Sequence, residues 1–331
     1  MTPCRSHACV KLGLSKLKRL SLIRLMSVMA NNPVRPLYWR RYLCMLGTLP
    51  VLMCLLATPR AAQAKETLTW LLRDLPPLTI FEGPQKGQGA IDQLMPLLIA
   101  SMPEYQHNIM RINRARGMQM LHELSFTCDP SLIWNKERTQ WIEFSIPVLR
   151  IISNGLVVRH DVHAALEPFI TEDKVDLPAL LASGNNKKLG VVAERSYGQQ
   201  IDGLLRHAPV DALTAHYGND ALGSLLQMQR LGRLTALLGY WPEIQYQAQQ
   251  QGMSPEDLEF YPIKDAEKYQ SIHVGCSNTA QGRQAIASIN KALRGLRQNT
   301  LIEFYADWLD PQMRRHYLED TKAFFQNLQQ Q

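Results

Sequence analysis

From Thr67 onward the chain alternates short apolar runs of strand length with longer segments that are apolar on one face, and it does so twice. Strand, helix and strand repeated in that order call for parallel strands covered by helices, an α/β layer. The first round opens with a strand at Thr67–Leu72, stopped by Arg73-Asp74-Leu75-Pro76-Pro77. A turn-rich loop, Glu82 to Gly89, leads to a helix over Ala90–Met102 with Ile91, Leu94, Met95, Leu98 and Ile99 on one face. A strand at Asn108–Ile112, a helix at Arg116–Leu124 and a strand at Ser125–Trp134 follow, then a further strand at Ile151–Val158. The second round predicts helices over 177–183, 199–206 and 220–231, strands over 188–192 and 233–238, and a helix opened by Trp241-Pro242-Glu243. A strand at Ser271–Cys276 and helices at Gly282–Arg297 and Leu301–Leu309 come last. The pattern describes two α/β units, with a C-terminal segment able to return to the first and a glutamine-rich end that reads as frayed.

The formal charge of +7 invites a nucleic-acid reading, but its location excludes one. Residues 1–64 hold ten of the 36 Lys/Arg and no acidic residue, which leaves 26 basic against 29 acidic residues, a net of −3, for the remainder. The basic excess belongs to a leader. Arg40-Arg41, the uncharged run Tyr42 to Ala57 and Ala62-Gln63-Ala64 follow the order of a secretory signal cleaved after Ala64. The run is shorter than the roughly 20 residues of a membrane span, so no anchor is expected after cleavage. The segment before Met29 makes the charged region far too long and points to Met29 as the true start. Of six cysteines only Cys128 and Cys276 remain after residue 64; their spacing alone fits a bridge and two buried thiols equally.

Signatures of nucleophilic, zinc-peptidase, nucleotide-binding and dithiol chemistry are absent, and no cofactor is implied. His160 and His163, three apart just after a strand, lack a third ligand and read as a solvated linker before a metal site.

Taken in order, several short elements resemble the family 3 periplasmic solute-binding proteins, over about Leu68 to Trp308. They are Leu68 to Leu72, Pro76-Pro77, Gly87 to Asp92, and Glu137-Arg138 six residues before Phe144-Ser145-Ile146-Pro147. Leu189-Gly190-Val191-Val192, Gly232-Arg233-Leu234, Ile289-Asn290-Lys291-Ala292-Leu293 and Trp308 complete the set. The resemblance is to a divergent proteobacterial branch. It implies a two-lobed, type II periplasmic-binding-protein-like α/β fold, each lobe a mainly parallel sheet flanked by helices. Lobe one would take residues 65–155 and 270–331, lobe two 156–269, with hinges near 154–159 and 266–272. It also implies a small-molecule ligand, a monomer, and an inner-membrane ABC permease or a sensor as partner.

The family's arginine at the Arg138 position binds a ligand carboxylate, and a guanidinium fork suits that task. Glu137 would face outward; the plainer reading of the pair is a loop salt bridge. Ser196, Tyr197 and Gly198, between a strand and a helix, would offer hydroxyl and backbone donors to an anion. Amino-acid binders place an acid for the ligand ammonium where this chain has Tyr240, so a standard α-amino acid requires Asp74 or Glu243 instead. Tyr240, Trp241 and Trp134 are candidates for stacking on a ring, and Arg73 and Arg116 for added positive charge. The resemblance further implies that Cys128 and Cys276 lie on or beside lobe-one strands and form a disulfide. Rival readings are a dehydratase-like enzyme on the same scaffold, with Glu194 and Asp74 as candidate acid/base groups, and a sensory or structural module without a permease.

Overall fold

The first strand explains why residues so far apart in sequence form one layer. β1 (Thr67–Leu72) buries Trp70 completely, and the indole N–H donates to His107 Nδ1 at 3.0 Å on the neighbouring strand. In this computed structural model residues 64–123, 125–184, 188–297 and 300–328 are described; the leader, its cleavage signal and Met29 lie outside them, apart from Ala64. Residues 64–331 form one compact unit.

Lobe one holds β1, α1 (Ala90–Ser101), β2 (Gln106–Arg111), α2 (Arg114–His122), β3 (Thr127–Ile133), β4 (Ile142–Phe144) and β5 (Leu149–Ile152). Lobe two begins with β6 (Gly155–Arg159), a short hairpin of β7 (Ile170–Thr171) and β8 (Lys174–Val175), and α3 (Leu177–Ala182). It continues through β9 (Leu189–Val192), α4 (Gln199–Arg206), β10 (Leu213–His216), α5 (Ala221–Arg230), β11 (Ala236–Gly239), α6 (Trp241–Gln250) and β12 (Leu258–Pro262). The chain then returns through β13 (Tyr269–Ser277), α7 (Ala280–Leu296), α8 (Thr300–Ala306) and α9 (Pro311–Asn327).

The first sheet has the order β2-β1-β3-β13-β4, with β5 also on β13; the second has the order β10-β9-β11-β6-β12. Both are mixed, not mainly parallel. β2, β1 and β3 run parallel, while β13 is antiparallel to β3, β4 and β5; β10, β9 and β11 run parallel, while β6 opposes β11 and β12. The reason is connectivity. β6 and β13 each enter their lobe from the hinge, so they run against strands whose C-terminal ends point toward it.

The predicted single strand at 151–158 is two strands in two lobes, broken at Ser153-Asn154 where the chain crosses. The return crossing is residues 263–268; residues 155–159 and 269–272 are strand. Ser153 N–H donates to Lys268 O at 3.1 Å and ties the two crossings together.

Gly89 shows local sequence dictating geometry. A Cβ there would lie 2.3 Å from Leu78 O, and Asp92 Oδ2 accepts from the Gly89 and Ile80 N–H groups at 3.1 and 2.8 Å, fixing the start of α1. The C-terminal segment does return to lobe one, as a capped helix up to Asn327; residues 329–331 of the glutamine-rich end lie outside the described residues. Asp310 accepts from Gln312 and Met313 N–H, Tyr317 OH donates to Arg150 O at 2.8 Å, and Tyr317 and Phe325 join the lobe-one core. Cys128 and Cys276 stand opposite each other on β3 and β13 and form a disulfide. The Phe144-Ser145-Ile146-Pro147 segment is braced by two distant groups. Ser145 Oγ accepts from Val274 N–H at 2.9 Å, and Asn290 Oδ1 accepts from Ile146 N–H at 2.8 Å, which joins two of the sequence elements that carry the resemblance. Among the described residues no helix is long and apolar enough to cross a membrane.

Candidate functional site

The parallel strands of both lobes end at one seam, the general location of ligand sites in open α/β sheets. β1 ends into Arg73 and Asp74, β2 into Asn113 and Arg114, and β3 into Asn135 and Arg138. From lobe two, β9 ends into Arg195, β10 into Asn219 and Asp220, and β11 into Tyr240 and Glu243. Two narrow cavities run along the seam, and two wider ones of about 430 and 500 Å³ open beside Arg138 and Glu194. One, of about 30 Å³, is lined by Arg73, Asp74, Arg114, Arg195, Asp220 and Glu243 among others. The other, of about 10 Å³, is lined by Arg114, Ser131, Arg138, Arg195, Ser196 and Tyr240 among others.

The arginines differ in what they hold. Arg73 is buried and forms an ion pair with Asp129, and it donates to the Ser131 carbonyl and hydroxyl at 2.7 and 2.9 Å. Arg195 forms a two-pronged pair with Glu243, both bonds 2.8 Å, with the two side chains 4 % and 3 % exposed. Burial pulls the Arg195 pKa down, but the charge and hydrogen bonds of Glu243 raise it above the usual arginine value. Its guanidinium also lies 5.6 Å from the centre of the Tyr240 ring.

Arg114 makes no hydrogen bond or ion pair among the described residues. Burial holds its pKa well below the usual arginine value, and the like charges of Arg73 and Arg195 lower it further. It lines both narrow cavities. An unpartnered guanidinium between two paired ones is a costly arrangement unless an anion completes it.

Glu137 and Arg138 both reach across the seam. Arg138 Nη2 donates to the backbone carbonyl of Glu194 at 3.0 Å, and Glu137 pairs with Arg206 at 3.0 Å. Burial lowers the Arg138 pKa. Ser196 and Tyr197 come to the seam, but the carboxylate of Asp202 on α4 already engages them. Ser196 Oγ donates to Asp202 Oδ2 at 2.5 Å and Tyr197 N–H to Oδ1 at 2.7 Å. The Tyr197 hydroxyl accepts from Val192 N–H at 2.7 Å inside lobe two, and burial pushes its pKa up to about 12. Gly198 sits at φ 98°, where its missing side chain makes room for Gln270, whose Nε2 donates to Tyr197 O at 2.5 Å.

Asp74 and Asp220 approach one cavity from opposite lobes. Both residues are exposed, yet partial desolvation at the seam raises both carboxyl pKa values; Asp220, Glu82 and Glu243 raise that of Asp74 further, and Glu243 that of Asp220. A raised carboxyl pKa gives stability that is fully present below the ordinary carboxyl range and is lost as pH rises through the folded value. Asp220→Asn keeps a side-chain oxygen for the Gly223 N–H that Asp220 caps at 3.1 Å. It is therefore expected to raise the thermal midpoint at neutral pH and to have no effect below about pH 4. Equal effects at both pH values in a melting series would contradict this assignment.

The remaining candidates lie elsewhere. Arg116 is exposed on α2 and pairs with Glu123 at 3.4 Å; Asn113 caps the helix so that Arg114, two residues earlier, faces the seam instead. Trp134 is 41 % exposed and lines neither seam cavity, and Trp241 stacks on Phe260 beside a lobe-two core. Glu194 is exposed, with φ 61°. His160 and His163 both meet Glu259, which also accepts from Tyr261; no metal-binding group of three such side chains occurs among the described residues. Arg114, Arg195, Asp129 and Asp220 escaped the sequence reading. The Arg111 to Arg116 run held a signal for the first, since Asn113 is a strong cap residue.

No protein-family model matches the sequence, and no curated protein sequence matches it. Solved structures do. A histidine kinase sensor domain with similarity to periplasmic binding proteins matches with a TM-score of 0.58 at 14 % identity, covering 75 % of this chain and 97 % of that one. An amino acid ABC transporter substrate-binding protein from Streptococcus pneumoniae, bound to L-arginine, matches at 0.53 and 15 %, over 77 % and 97 %. The VFT2 domain of Bordetella pertussis BvgS matches at 0.53 and 17 %, over 83 % and 100 %. The chain has the two-lobed periplasmic-binding-protein-like fold. At these identities the likeness is one of fold.

Proposed function

We propose that this chain is a periplasmic solute-binding protein that captures a small carboxylate-bearing ligand in the interlobe seam, for an ABC importer or a sensor. The observation that carries the reading is Arg114, a cation without a partner among the described residues, set between Arg73 and Arg195 on the lining of both narrow cavities. A carboxylate there would make charge-assisted bonds to a half-buried guanidinium that has no hydrogen bond or ion pair among the described residues. Arg138 lines the smaller cavity and would release its lobe-two carbonyl to join the ligand. A cavity of about 30 Å³ is one water's share of liquid volume, so a ligand enters as the lobes part or the arginines swing aside.

Asp74 fits a ligand that also bears an ammonium. Glu243 does not, because Arg195 already holds both of its oxygens. The neighbours' descriptions name binding proteins and a sensor domain, which supports both partner classes.

The test is a thermal-shift screen of residues 65–331 against amino acids, dicarboxylates, sugars and peptidoglycan fragments. A carboxylate at a hundredfold excess over its Kd should stabilise by about 2.7 kcal/mol, a rise of roughly 5–11 °C. Arg114→Met should abolish that rise while leaving the ligand-free protein folded. A folded protein that responds to no carboxylate, or whose response survives Arg114→Met, defeats the proposal. Asp74→Asn separates ligand classes: it should weaken a zwitterion and spare a simple acid.

A further inference from the structure

A separate cavity, of about 420 Å³, opens where the chain crosses between lobes, and it shares no lining residue with the arginine seam. Its walls come from every part of the hinge region: Ser153 from the outward crossing, Ala266 and Lys268 from the return, Phe260 and Lys174 from lobe two, and Met313 from α9. Its volume falls in the range of small-molecule sites, about 300–1,000 Å³. The lining is mostly apolar, yet it contains Ser153, whose buried hydroxyl has no hydrogen-bond partner. A buried hydroxyl is normally satisfied, so a donor or acceptor is wanted at this point.

The lining's charges balance, and Lys174 is its cation left, among the described residues, to meet a ligand's acidic group. Lys174 makes no ion pair among the described residues, and His316 also lines the cavity; Lys268 is held by Asp320 at 2.8 Å, and Glu267 is the one acid. We propose that this hinge cavity is a ligand site separate from the seam, taking a small amphipathic acid with an apolar body. The body lies against Phe260, Ala266 and Met313, Ser153 supplies a hydrogen bond, and Lys174 meets the acidic group. Because the walls belong to both lobes, occupancy and lobe angle are thermodynamically linked.

The experiment is a fluorescence titration of the purified protein with 8-anilinonaphthalene-1-sulfonate, an apolar ring system carrying one acidic group. Saturable binding to a single site is expected. Ala266→Trp and Met313→Trp fill the cavity from two walls, and each should weaken binding roughly tenfold or more while circular dichroism is unchanged. Lys174→Gln should weaken it about fivefold, the worth of one exposed charge pair, and Arg114→Met should leave it unaltered. Wild-type binding in the tryptophan variants, or non-saturable binding, overturns the site; full binding by Lys174→Gln overturns the anionic class. Hydrogen exchange on the unmutated protein decides the matter without variants: residues 153–154 and 263–268 should slow at saturation, and unchanged exchange there overturns the proposal. An unchanged radius of gyration at saturation overturns the linkage to lobe angle.

Discussion

Glu243→Ala is expected to cost about 3–5 kcal/mol, because it leaves a buried arginine charge uncompensated, and so to lower the thermal midpoint by roughly 6–20 °C. The pair it breaks is enclosed: Arg195 and Glu243 are joined by two bonds of 2.8 Å with almost no exposure. The loss should exceed that of the bond alone. Without Glu243 the charges of Arg73, Arg114 and Arg195 face one another with one fewer compensating carboxylate nearby. The double variant Arg195→Met with Glu243→Ala tests the cause. If desolvated charge is responsible, the double variant is more stable than Glu243→Ala alone. A double variant less stable than the single one would mean that packing around the pair, not its charge, carries the effect. Glu137 provides the contrast. Its pair with Arg206 is half-exposed, so Glu137→Ala should cost no more than about 1 kcal/mol.

Replacing Cys128 and Cys276 together by alanine is expected to cost about 2–5 kcal/mol. The bridge closes a loop with a sequence separation of 148 residues that contains the whole of lobe two. Chain entropy alone assigns such a loop about 5 kcal/mol. The strands it joins already pair by backbone hydrogen bonds, so the bridge acts chiefly on the unfolded chain. The measurement is urea unfolding with and without reductant. The midpoint should fall and the denaturant slope should rise, since the unbridged denatured state exposes more surface. Identical curves for oxidised and reduced protein would show that the crossing strands are held without the bridge.

Much of the fold was legible in the sequence because its signals are local. α4 and the start of α6 fall where periodicity and Trp241-Pro242 put them, and the alternation of elements led to the two α/β units. The short strands β4, β7, β8, β10 and β12 were not anticipated. β10 and β4 are edge strands of three or four residues, and a run that short has no periodicity to read. The run at 151–158 was read as continuous although Asn154-Gly155, a dipeptide that marks turns, stands at the break. The mixed sheets were missed for another reason. Strand direction depends on where the chain enters each lobe, which local composition does not encode.

The site divides along the same line. The sequence by itself determined that arginines follow several strand ends, that Glu137-Arg138 precedes a crossover, and that the basic excess belongs to the first 64 residues. Residue type and order decide those points. Only the tertiary structure decided which arginines are already spent. Arg73 is taken by Asp129 on the adjacent strand, 56 residues on; Arg195 by Glu243, 48 residues on; Arg138 by a lobe-two carbonyl; and Arg114 by no described residue. The physical reason is that a guanidinium's availability depends on which carboxylates and carbonyls folding brings within about 3 Å of it, and those partners are remote in sequence.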